Sequence, residues 1–578
     1  MLDRPAEIRP VLTLTCAVLL MSLTGCARAP GSEAQAANPD LEAPASETPA
    51  SETPVSETAV VEIAQGRLEG VRREGLTVFK GIAYAASPVD DLRWREPGPA
   101  PAWDGTRTAE AFGPACIQPA IPPTSLYFDP PHATSEDCLT LNVWAPARVE
   151  EAPVIVWIHG GSLRIGGSAQ PMYDGAALAR RGVVLVSINY RLGVLGWLAH
   201  PELTAESPRQ ASGNYGLLDQ VAALRWVQEN IEAFGGDPDN VTVMGESAGA
   251  LSVTYLMSSP LASGLFDKAI AQSPNIRAVP ELSRPAFGLP SAEAIGQHLS
   301  EALDAPTLED LRAMDAQALV DASTRQRFIS QGTIDGWSLP VQVLDALEEG
   351  RQARVPLLAG FNSGELRSQR ALLPPIPESA TAYEETIRCG YGNLADDFLR
   401  LYPVSNLNQS TLDTFRDAIY GWAVERLVAE QSRDGLPAYL YIFDHCSDAA
   451  RARDLCAFHA SDLPYVFGQV GEDAALAPNW PAPDGEAARA LSASMIDYWV
   501  SFAASGSPES DGAAAWRPYS EDEAYLRFAD RPLAGTDPVS GMFELQNEWV
   551  RRRREAGAQW FIDVGVNADT ACAARDGG

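Results

Sequence analysis

The stretch that decides the fold reads Asn240-Val-Thr-Val-Met-Gly-Glu-Ser-Ala-Gly-Ala-Leu-Ser-Val-Thr-Tyr-Leu-Met257. Its first part is short, apolar and β-branched, which predicts a buried strand, and its last part, 250–257, has the composition of a helix. Between them lies the glycine–x–serine–x–glycine motif at 245–249. Glycines suit a sharp strand-to-helix turn, because neighbouring side chains would clash there. The motif therefore predicts an exposed Ser247 hydroxyl at the end of a strand.

A glycine-rich turn lies upstream of this motif. The apolar run 154–158 leads directly into His159-Gly-Gly-Ser162. A turn of this kind exposes peptide N–H groups that can hold a negatively charged oxygen. Together with the amide of Ala248, these groups would form an oxyanion hole beside an activated serine. The alternative is a tight turn with no catalytic role, but the presence of the serine motif favours the oxyanion hole over this alternative.

Strand and helix patterns alternate along the rest of the chain. Apolar, β-branched runs predict buried strands at 154–158, 183–188, 241–244 and 355–359. Helical spacing runs from 216 to 234, and the alternation predicts a mostly parallel sheet with helices on both faces. The regions 291–329 and 378–434 have helical patterns and are expected to form lobes that build a cleft. A further helix is predicted at 544–561.

A serine hydroxyl needs a base before it can act as a nucleophile at neutral pH. The chain has six histidines: His132, His159, His200, His298, His445 and His459. Only the last two lie late in the chain, where the order serine, acid, histidine places the base. His459 lies in a loop that leads into a helix, whereas His445 ends a strand-like run. Position favours His459, and His445 remains the alternative.

The third member of such a site is a carboxylate between the serine and the histidine. Glu365 follows the predicted strand 355–359 and meets this condition. Asp335 is the competitor, and its simpler explanation is a turn residue, since glycine follows it. The residues alone favour Glu365.

Several other segments occur in a characteristic order. They are Phe79-Lys-Gly-Ile-Ala-Tyr-Ala85, Leu92-Arg-Trp-Arg95, Glu136-Asp-Cys-Leu-Thr-Leu-Asn-Val143, Asn189-Tyr-Arg-Leu-Gly193, Gly213-Asn-Tyr-Gly-Leu-Leu-Asp-Gln220, Phe234-Gly-Gly-Asp-Pro238 and Gly264-Leu-Phe-Asp-Lys-Ala-Ile270. With the serine motif, these segments resemble the type-B carboxylesterase family, which includes bacterial para-nitrobenzyl esterases and the cholinesterases. The resemblance extends over residues 60–561.

The resemblance implies an α/β-hydrolase fold, with a central, mostly parallel sheet, helices on both faces and large helical lobes over the active site. It implies a serine hydrolase that cleaves small carboxylic esters through a covalent acyl-enzyme, with no metal or organic cofactor. On the matching positions, Ser247, Glu365 and His459 form the catalytic triad. An amidase or lactonase with the same triad, and a catalytically silent binding protein with the same fold, are the alternatives.

The resemblance also implies further site residues. They are the backbone amides of Gly161, Ser162 and Ala248 as oxyanion donors, Ser273 beside the triad acid, and a disulfide between Cys116 and Cys138. Three departures from the family pattern concern pocket shape. Ser162-Leu163 stands where the family usually has a small residue followed by phenylalanine, Pro274 replaces a common glycine after Ser273, and Gly364 stands where an acidic residue is common. The loop 117–137 contains no tryptophan, so nothing supports a preference for quaternary ammonium substrates.

The N-terminal region predicts export. An apolar run at 11–23 has the length of a signal peptide core, and Leu23-Thr-Gly-Cys26 resembles a bacterial lipobox. That resemblance implies cleavage before Cys26 and acylation of its thiol; an ordinary secretory peptide cut after Ala27 or Ala29 is the alternative. The predicted organisation is a signal peptide with lipobox at 1–26, a flexible tether rich in Pro, Ala, Ser, Glu and Thr at 27–59, the hydrolase domain at 60–565, and a disordered tail at 566–578.

Charge bears on the expected partners, and cysteine content bears on the location. The formal net charge of −33 repels phosphates and anionic lipid surfaces, so nucleic acid is not an expected partner. We expect a membrane-anchored lipoprotein, periplasmic or facing outward from the cell surface, with the Cys26 lipid as its one membrane contact. Six cysteines follow Cys26, an even number that permits disulfides in an exported chain. Spacing favours the pairs Cys116–Cys138 and Cys446–Cys456, and leaves Cys389–Cys572 as the remainder.

Overall fold

The computed structural model describes residues 57–129, 133–520 and 522–568. The predicted signal peptide with Cys26, nearly all of the tether, His132 and Cys572 lie outside these residues, so their predictions stand as made. Across the described ranges, no helix combines the length and apolar character that a bilayer span requires.

The strands of the described chain are β1 (Glu57–Ile63), β2 (Gly66–Arg73), β3 (Leu76–Ala83), β4 (Thr106–Thr108), β5 (Ala115–Cys116), β6 (Thr134–Ser135), β7 (Thr140–Pro146), β8 (Ala152–Ile158), β9 (Val184–Ile188), β10 (Gly236–Glu246), β11 (Lys268–Gln272), β12 (Leu357–Asn362), β13 (Ala438–Phe443), β14 (Ala524–Phe528) and β15 (Pro532–Thr536). The sequence patterns predicted strands only from residue 154 onward, so the first four strands, β1 to β4, were not among the predicted ones.

The α-helices of the described chain are α1 (Ala176–Ala179), α2 (Gly193–Trp197), α3 (Pro201–Glu206), α4 (Tyr215–Asn230), α5 (Ala248–Ser258), α6 (Ala292–Ala302), α7 (Leu308–Ala313), α8 (Ala316–Arg325), α9 (Val343–Glu348), α10 (Ala380–Tyr391), α11 (Ala395–Leu401), α12 (Leu407–Arg416), α13 (Trp422–Arg433), α14 (Asp448–Arg451), α15 (Leu463–Val466), α16 (Glu486–Ser505) and α17 (Met542–Glu555). A π-helical turn, Asp417–Gly421, joins α12 to α13. The helix predicted at 544–561 ends earlier, at Glu555, and Gly557 follows with a φ of 65°.

One large mixed sheet organises these elements. Its strand order is β1-β2-β3-β7-β9-β8-β10-β11-β12-β13-β14-β15, and β4 pairs with β2. The run from β9 to β14 is parallel, whereas the strands at both sides of it pair antiparallel. This is the α/β-hydrolase architecture, and the prediction of a mostly parallel central sheet is confirmed.

Two apolar cores cover the two faces of the sheet. Side chains alternate along a strand, so Val154 and Val156 of β8 lie in one core and Ile155 and Trp157 in the other. Helices α4, α5 and α13 pack in the first core, and α16 packs in the second. Because both faces are covered, the central strands are mostly apolar rather than alternating strictly with polar residues.

Parallel pairing places the carboxyl ends of β8, β10, β12 and β13 at the same edge of the sheet. In open α/β sheets, ligands bind at this edge, where loops leave the strands. The loops that follow these strands carry the glycine-rich turn, Ser247, Glu365 and His459. The register therefore brings together segments that are far apart in the sequence.

Candidate active site

Ser247 occupies the turn between β10 and α5. Its φ of 54° lies in the left-handed region, which a non-glycine residue adopts only when the surrounding structure imposes it. The peptide N–H of Ser247 donates to the carbonyl of Gln272 on β11 at 2.8 Å. A Cβ on Gly245 would lie 2.4 Å from the carbonyl carbon of Gly249, so the turn leaves no room for a side chain there. This packing explains why glycine stands before the motif's Glu246.

The structure brings the three residues of the predicted triad into contact. His459 Nε2 lies 2.8 Å from Ser247 Oγ, and Nδ1 lies 2.5 Å from Glu365 Oε2. His459 is 5% exposed and Glu365 is fully buried. With its proton on Nδ1, the ring donates to Glu365 and accepts the hydroxyl proton of Ser247 on Nε2. A carboxylate, an imidazole and a hydroxyl in this order can activate the hydroxyl as a nucleophile.

The carboxylate of Glu365 is held on its far side. Ser273 Oγ donates to Glu365 Oε1 at 2.6 Å, and the peptide N–H of Asn362 donates to the same oxygen at 2.8 Å. Glu365 begins a short 3-10 turn, Glu365–Arg367, directly after β12. Ser273 thus lies beside the carboxylate of Glu365, and both donors leave Oε2 for the imidazole.

The glycine-rich turn faces Ser247 across the cleft. Gly161 and Ser162 line the cleft together with Ser247 and His459, and Ala248 is the first residue of α5. Gly161 has a φ of 104°, and a Cβ on it would lie 2.0 Å from the carbonyl oxygen of Ile165. Only glycine fits this position, and the arrangement leaves backbone rather than side chains beside the serine. The donor roles of the three amides remain predictions.

A second carboxylate lies close to the imidazole. Glu246, the residue before Ser247, is buried, and its Oε1 lies 3.2 Å from His459 Nε2. Burial alone would lower the pKa of His459, but the carboxylates of Glu246 and Glu365 outweigh burial and hold that pKa above its usual range. Burial in turn raises the pKa of Glu246. The site therefore favours the imidazolium form more strongly than water does.

Replacing Glu246 by glutamine is expected to move the acidic limb of the kcat/KM profile to lower pH. The base works only as neutral imidazole. A nearby carboxylate stabilises the imidazolium, so its removal lowers the pKa of His459, by about one unit or more. The measurement is kcat/KM for an uncharged ester between about pH 5 and pH 10.

The matched control is Glu229→Gln, which removes an exposed carboxylate near the C-terminal end of α4 that does not line the cleft. This control is expected to leave the acidic limb in place. If the acidic limb of the Glu246→Gln variant stayed in place or moved to higher pH, the electrostatic role given to Glu246 would be contradicted.

The competing residues lie elsewhere. His445 Nδ1 contacts Asp530 at 3.2 Å. His159 is buried, its Nδ1 donates to the Gly160 carbonyl at 2.8 Å, and burial lowers its pKa to about 4. Asp335 accepts the backbone N–H groups of two residues that follow it, each at 2.9 Å, as a turn residue does. Neither the alternative base, His445, nor the alternative acid, Asp335, contacts Ser247.

The cleft above Ser247 is mainly apolar and acidic. Its apolar lining includes Ile121, Ile165, Met172, Tyr173, Leu463 and Trp480. Asp129 and Glu246 also line it, whereas the described lining includes no lysine or arginine. No group of three or more His, Cys, Asp or Glu residues with metal-binding geometry occurs among the described residues. The cleft suits an uncharged substrate with apolar groups.

Two described disulfides border the site. Cys116 pairs with Cys138, with Cα atoms 5.0 Å apart, and Cys446 pairs with Cys456, with Cα atoms 4.6 Å apart. The first closes the loop that carries Ile121 and Asp129 into the cleft. Both pairings agree with the sequence prediction.

Sequence reasoning gave no role to three residues around the imidazole. Glu246 stands at a variable position of the motif, Tyr420 presents its ring 5.1 Å from that of His459, and Asp462 forms hydrogen bonds behind the base. Asp462 accepts from Gln272 Nε2 at 2.7 Å. Asp462 directly precedes α15, whereas His459 lies in the turn before it.

Comparisons with known proteins identify the family. The model of the carboxylesterase family matches residues 57–539. The chain is 37% identical over 487 residues to the fumonisin B1 esterase of Sphingopyxis macrogoltabida, a match that covers 81% of this chain and 86% of the relative. It is 34% identical over 487 residues to the para-nitrobenzyl esterase of Bacillus subtilis, covering 82% and 96%.

Solved structures give the same result. A PNB esterase superposes with a TM-score of 0.73 at 31% identity, covering 84% of this chain and 99% of the other. A carboxylesterase of Geobacillus stearothermophilus superposes with a TM-score of 0.66 at 32% identity, covering 86% and 99%.

Proposed function

The chain belongs to the carboxylesterase family, and we propose that it hydrolyses carboxylic esters with Ser247 as nucleophile, His459 as general base and Glu365 as the carboxylate that orients the imidazole. The observation that carries the proposal is the continuous contact from Ser247 Oγ to His459 to Glu365, at 2.8 Å and 2.5 Å.

The proposed reaction has two acyl transfers. Ser247 Oγ attacks the ester carbonyl carbon while His459 Nε2 takes its proton, and the carbonyl oxygen becomes an oxyanion. Collapse of this intermediate breaks the bond to the alcohol, which leaves with the proton from Nε2, and an acyl group remains on Ser247. Water then attacks the acyl carbon, again giving a proton to Nε2. The second collapse returns that proton to Ser247 and releases the acid.

The roles of the other groups follow from charge. The amides of Gly161, Ser162 and Ala248 are proposed to stabilise the oxyanion, and losing one such donor costs about 10²–10³ in turnover. Glu365 stabilises the imidazolium that forms in each half-reaction. The apolar and acidic lining of the cleft supports uncharged esters as the substrate class.

A fluorophosphonate probe tests the nucleophile directly. The probe is expected to phosphonylate Ser247 alone, because only a serine activated by a base attacks phosphorus at a useful rate. Peptide mapping by mass spectrometry locates the adduct. The Ser247→Ala variant should carry no adduct, and the folded state of this variant is checked by circular dichroism.

The labelling result also separates this proposal from a silent binding protein on the same fold. A binding protein would remain unlabelled although its fold were intact. An adduct on another serine, or labelling that persists in Ser247→Ala, would refute the assignment of the nucleophile.

A further inference from the structure

The segment that carries His459 is closed by a disulfide shortly before the imidazole. Cys446 follows β13, and Cys456 lies three residues before His459. Within the ring, Ser447 Oγ accepts the N–H of Ala450 at 3.2 Å, and the N–H of Leu455 donates to the Ala450 carbonyl at 2.9 Å. The ring is therefore internally hydrogen-bonded as well as covalently closed.

This ring packs against the segment that carries Glu365. The N–H of Gly364 donates to the Ala457 carbonyl at 2.9 Å. Asp454, inside the ring, forms ion pairs with Arg367 and with Arg370, the latter at 2.8 Å. The loop of the base and the loop of the acid thus contact each other on both sides of Glu365.

Gly364 makes the closest of these contacts possible. A Cβ on residue 364 would lie 2.0 Å from the carbonyl oxygen of Cys456 and 3.1 Å from that of Ala457. Either oxygen belongs to backbone, so neither can rotate away as a flexible side chain would. Any larger residue at 364 has to push the ring, and with it His459, away from the acid loop.

The same contact accounts for a departure noted in the sequence. An acidic residue is common in the family at the position of Gly364, and no such side chain fits beneath the Cys456 carbonyl. The glycine and the disulfide ring therefore belong to one arrangement. The segment between the ring and His459 is also held by Asn362, the last residue of β12, whose Nδ2 donates to the Phe458 carbonyl at 2.8 Å.

We propose that the Cys446–Cys456 ring and Gly364 act together as a positioning device that holds the imidazole of His459 against the carboxylate of Glu365. The proposal rests on the catalytic roles proposed for those two residues. A closed ring restricts the conformations of the loop. Misplacing a catalytic group by about 1 Å can cost about 10² in rate.

Two variants test the device: Cys446→Ser with Cys456→Ser, which opens the ring, and Gly364→Ala, which leaves the disulfide intact. Each is expected to lower kcat for p-nitrophenyl butyrate about 10-fold or more, with KM changed less than about 2-fold. The control for the glycine is Gly98→Ala, whose Cβ would meet its nearest neighbour at an ordinary 3.6 Å. That control is expected to keep the wild-type kcat.

The pH profile distinguishes positioning from a general loss of stability. The titratable groups around His459 are Glu246 at the end of β10, Glu365 after β12, Asp462 before α15, the phenol of Tyr420, and the phenol of Tyr127, which donates to the His459 carbonyl at 3.1 Å. Weakening the Glu365 contact lowers the pKa of His459, so the acidic limb should move to lower pH by about half a unit or more. A loss of folded protein would lower the activity at every pH and leave the limb in place.

The outcomes separate this inference from the proposed function. Folded variants with wild-type kcat and an unmoved acidic limb, in an enzyme whose activity depends on Ser247, would overturn the positioning device alone. Activity that persists in Ser247→Ala would overturn the proposed function instead. If the serine double variant does not fold, Gly364→Ala decides the result by the same two readouts.

Discussion

Replacing Ser247 by alanine is expected to lower kcat for p-nitrophenyl butyrate by about 10⁵-fold or more. The variant lacks the oxygen that forms the acyl-enzyme, so His459 and Glu365 have no nucleophile to activate. The oxyanion amides and the cleft remain, and they leave a residual acceleration over water of about 10³. Steady-state kinetics on purified protein measure the effect, provided that contaminating host esterases are excluded by a mock purification.

The matched control is Ser263→Ala, which removes an exposed hydroxyl that follows α5 in the sequence. This control is expected to keep the wild-type kcat. A Ser247→Ala variant that retained more than about a tenth of the activity would show that another group attacks the ester.

Replacing Glu365 by glutamine is expected to lower kcat by about 10⁴-fold. Ser273 and the Asn362 N–H both donate to one oxygen of the carboxylate, at 2.6 Å and 2.8 Å. A glutamine must turn its carbonyl oxygen toward these donors, which directs its NH₂ group at His459 Nδ1. The ring then carries its proton on Nε2 and cannot accept one from Ser247. The same kinetic assay measures the loss.

Asp335→Asn serves as the control for this second variant, because Asp335 was the competing acid in the sequence. Its carboxylate accepts backbone N–H groups in a turn, so the variant is expected to change stability more than kcat. The assignment would be reversed if Asp335→Asn lost activity by orders of magnitude while Glu365→Gln kept it.

The fold and the nucleophile could be predicted from short stretches because their signals are local. The strand before Ser247 and the glycines around it are contiguous in the sequence, and the turn at 159–162 directly follows a strand of its own, so each signal constrains the backbone locally. The residues left His445 as an alternative to His459, because the base comes from a loop whose position depends on the pairing of β12 with β13. The family resemblance, rather than a local pattern, favoured His459 more strongly.

Other features depend on three-dimensional contacts, which the periodic spacing of apolar residues in the sequence does not reveal. The region 378–434 was predicted as helical, but the π-helical turn Asp417–Gly421 within it, which presents the Tyr420 ring to His459, was not. The role of Glu246 depends on its burial and on its distance from the imidazole. The contact between Gly364 and the Cys456 carbonyl appears only when two loops meet.

The way in which the site is assembled has a consequence for how the protein matures. The nucleophile follows β10, the acid follows β12 and the base lies in the loop after β13, and the pairing of β10, β11, β12 and β13 brings these segments to the same edge of the sheet. A nascent chain emerging up to Met257 already holds the serine and its glycine turn but has neither partner for them. Ester cleavage therefore begins only after the segment that carries His459 has docked, so the onset of hydrolysis during renaturation reports the pairing of β13 with β12 rather than the early collapse of the sheet.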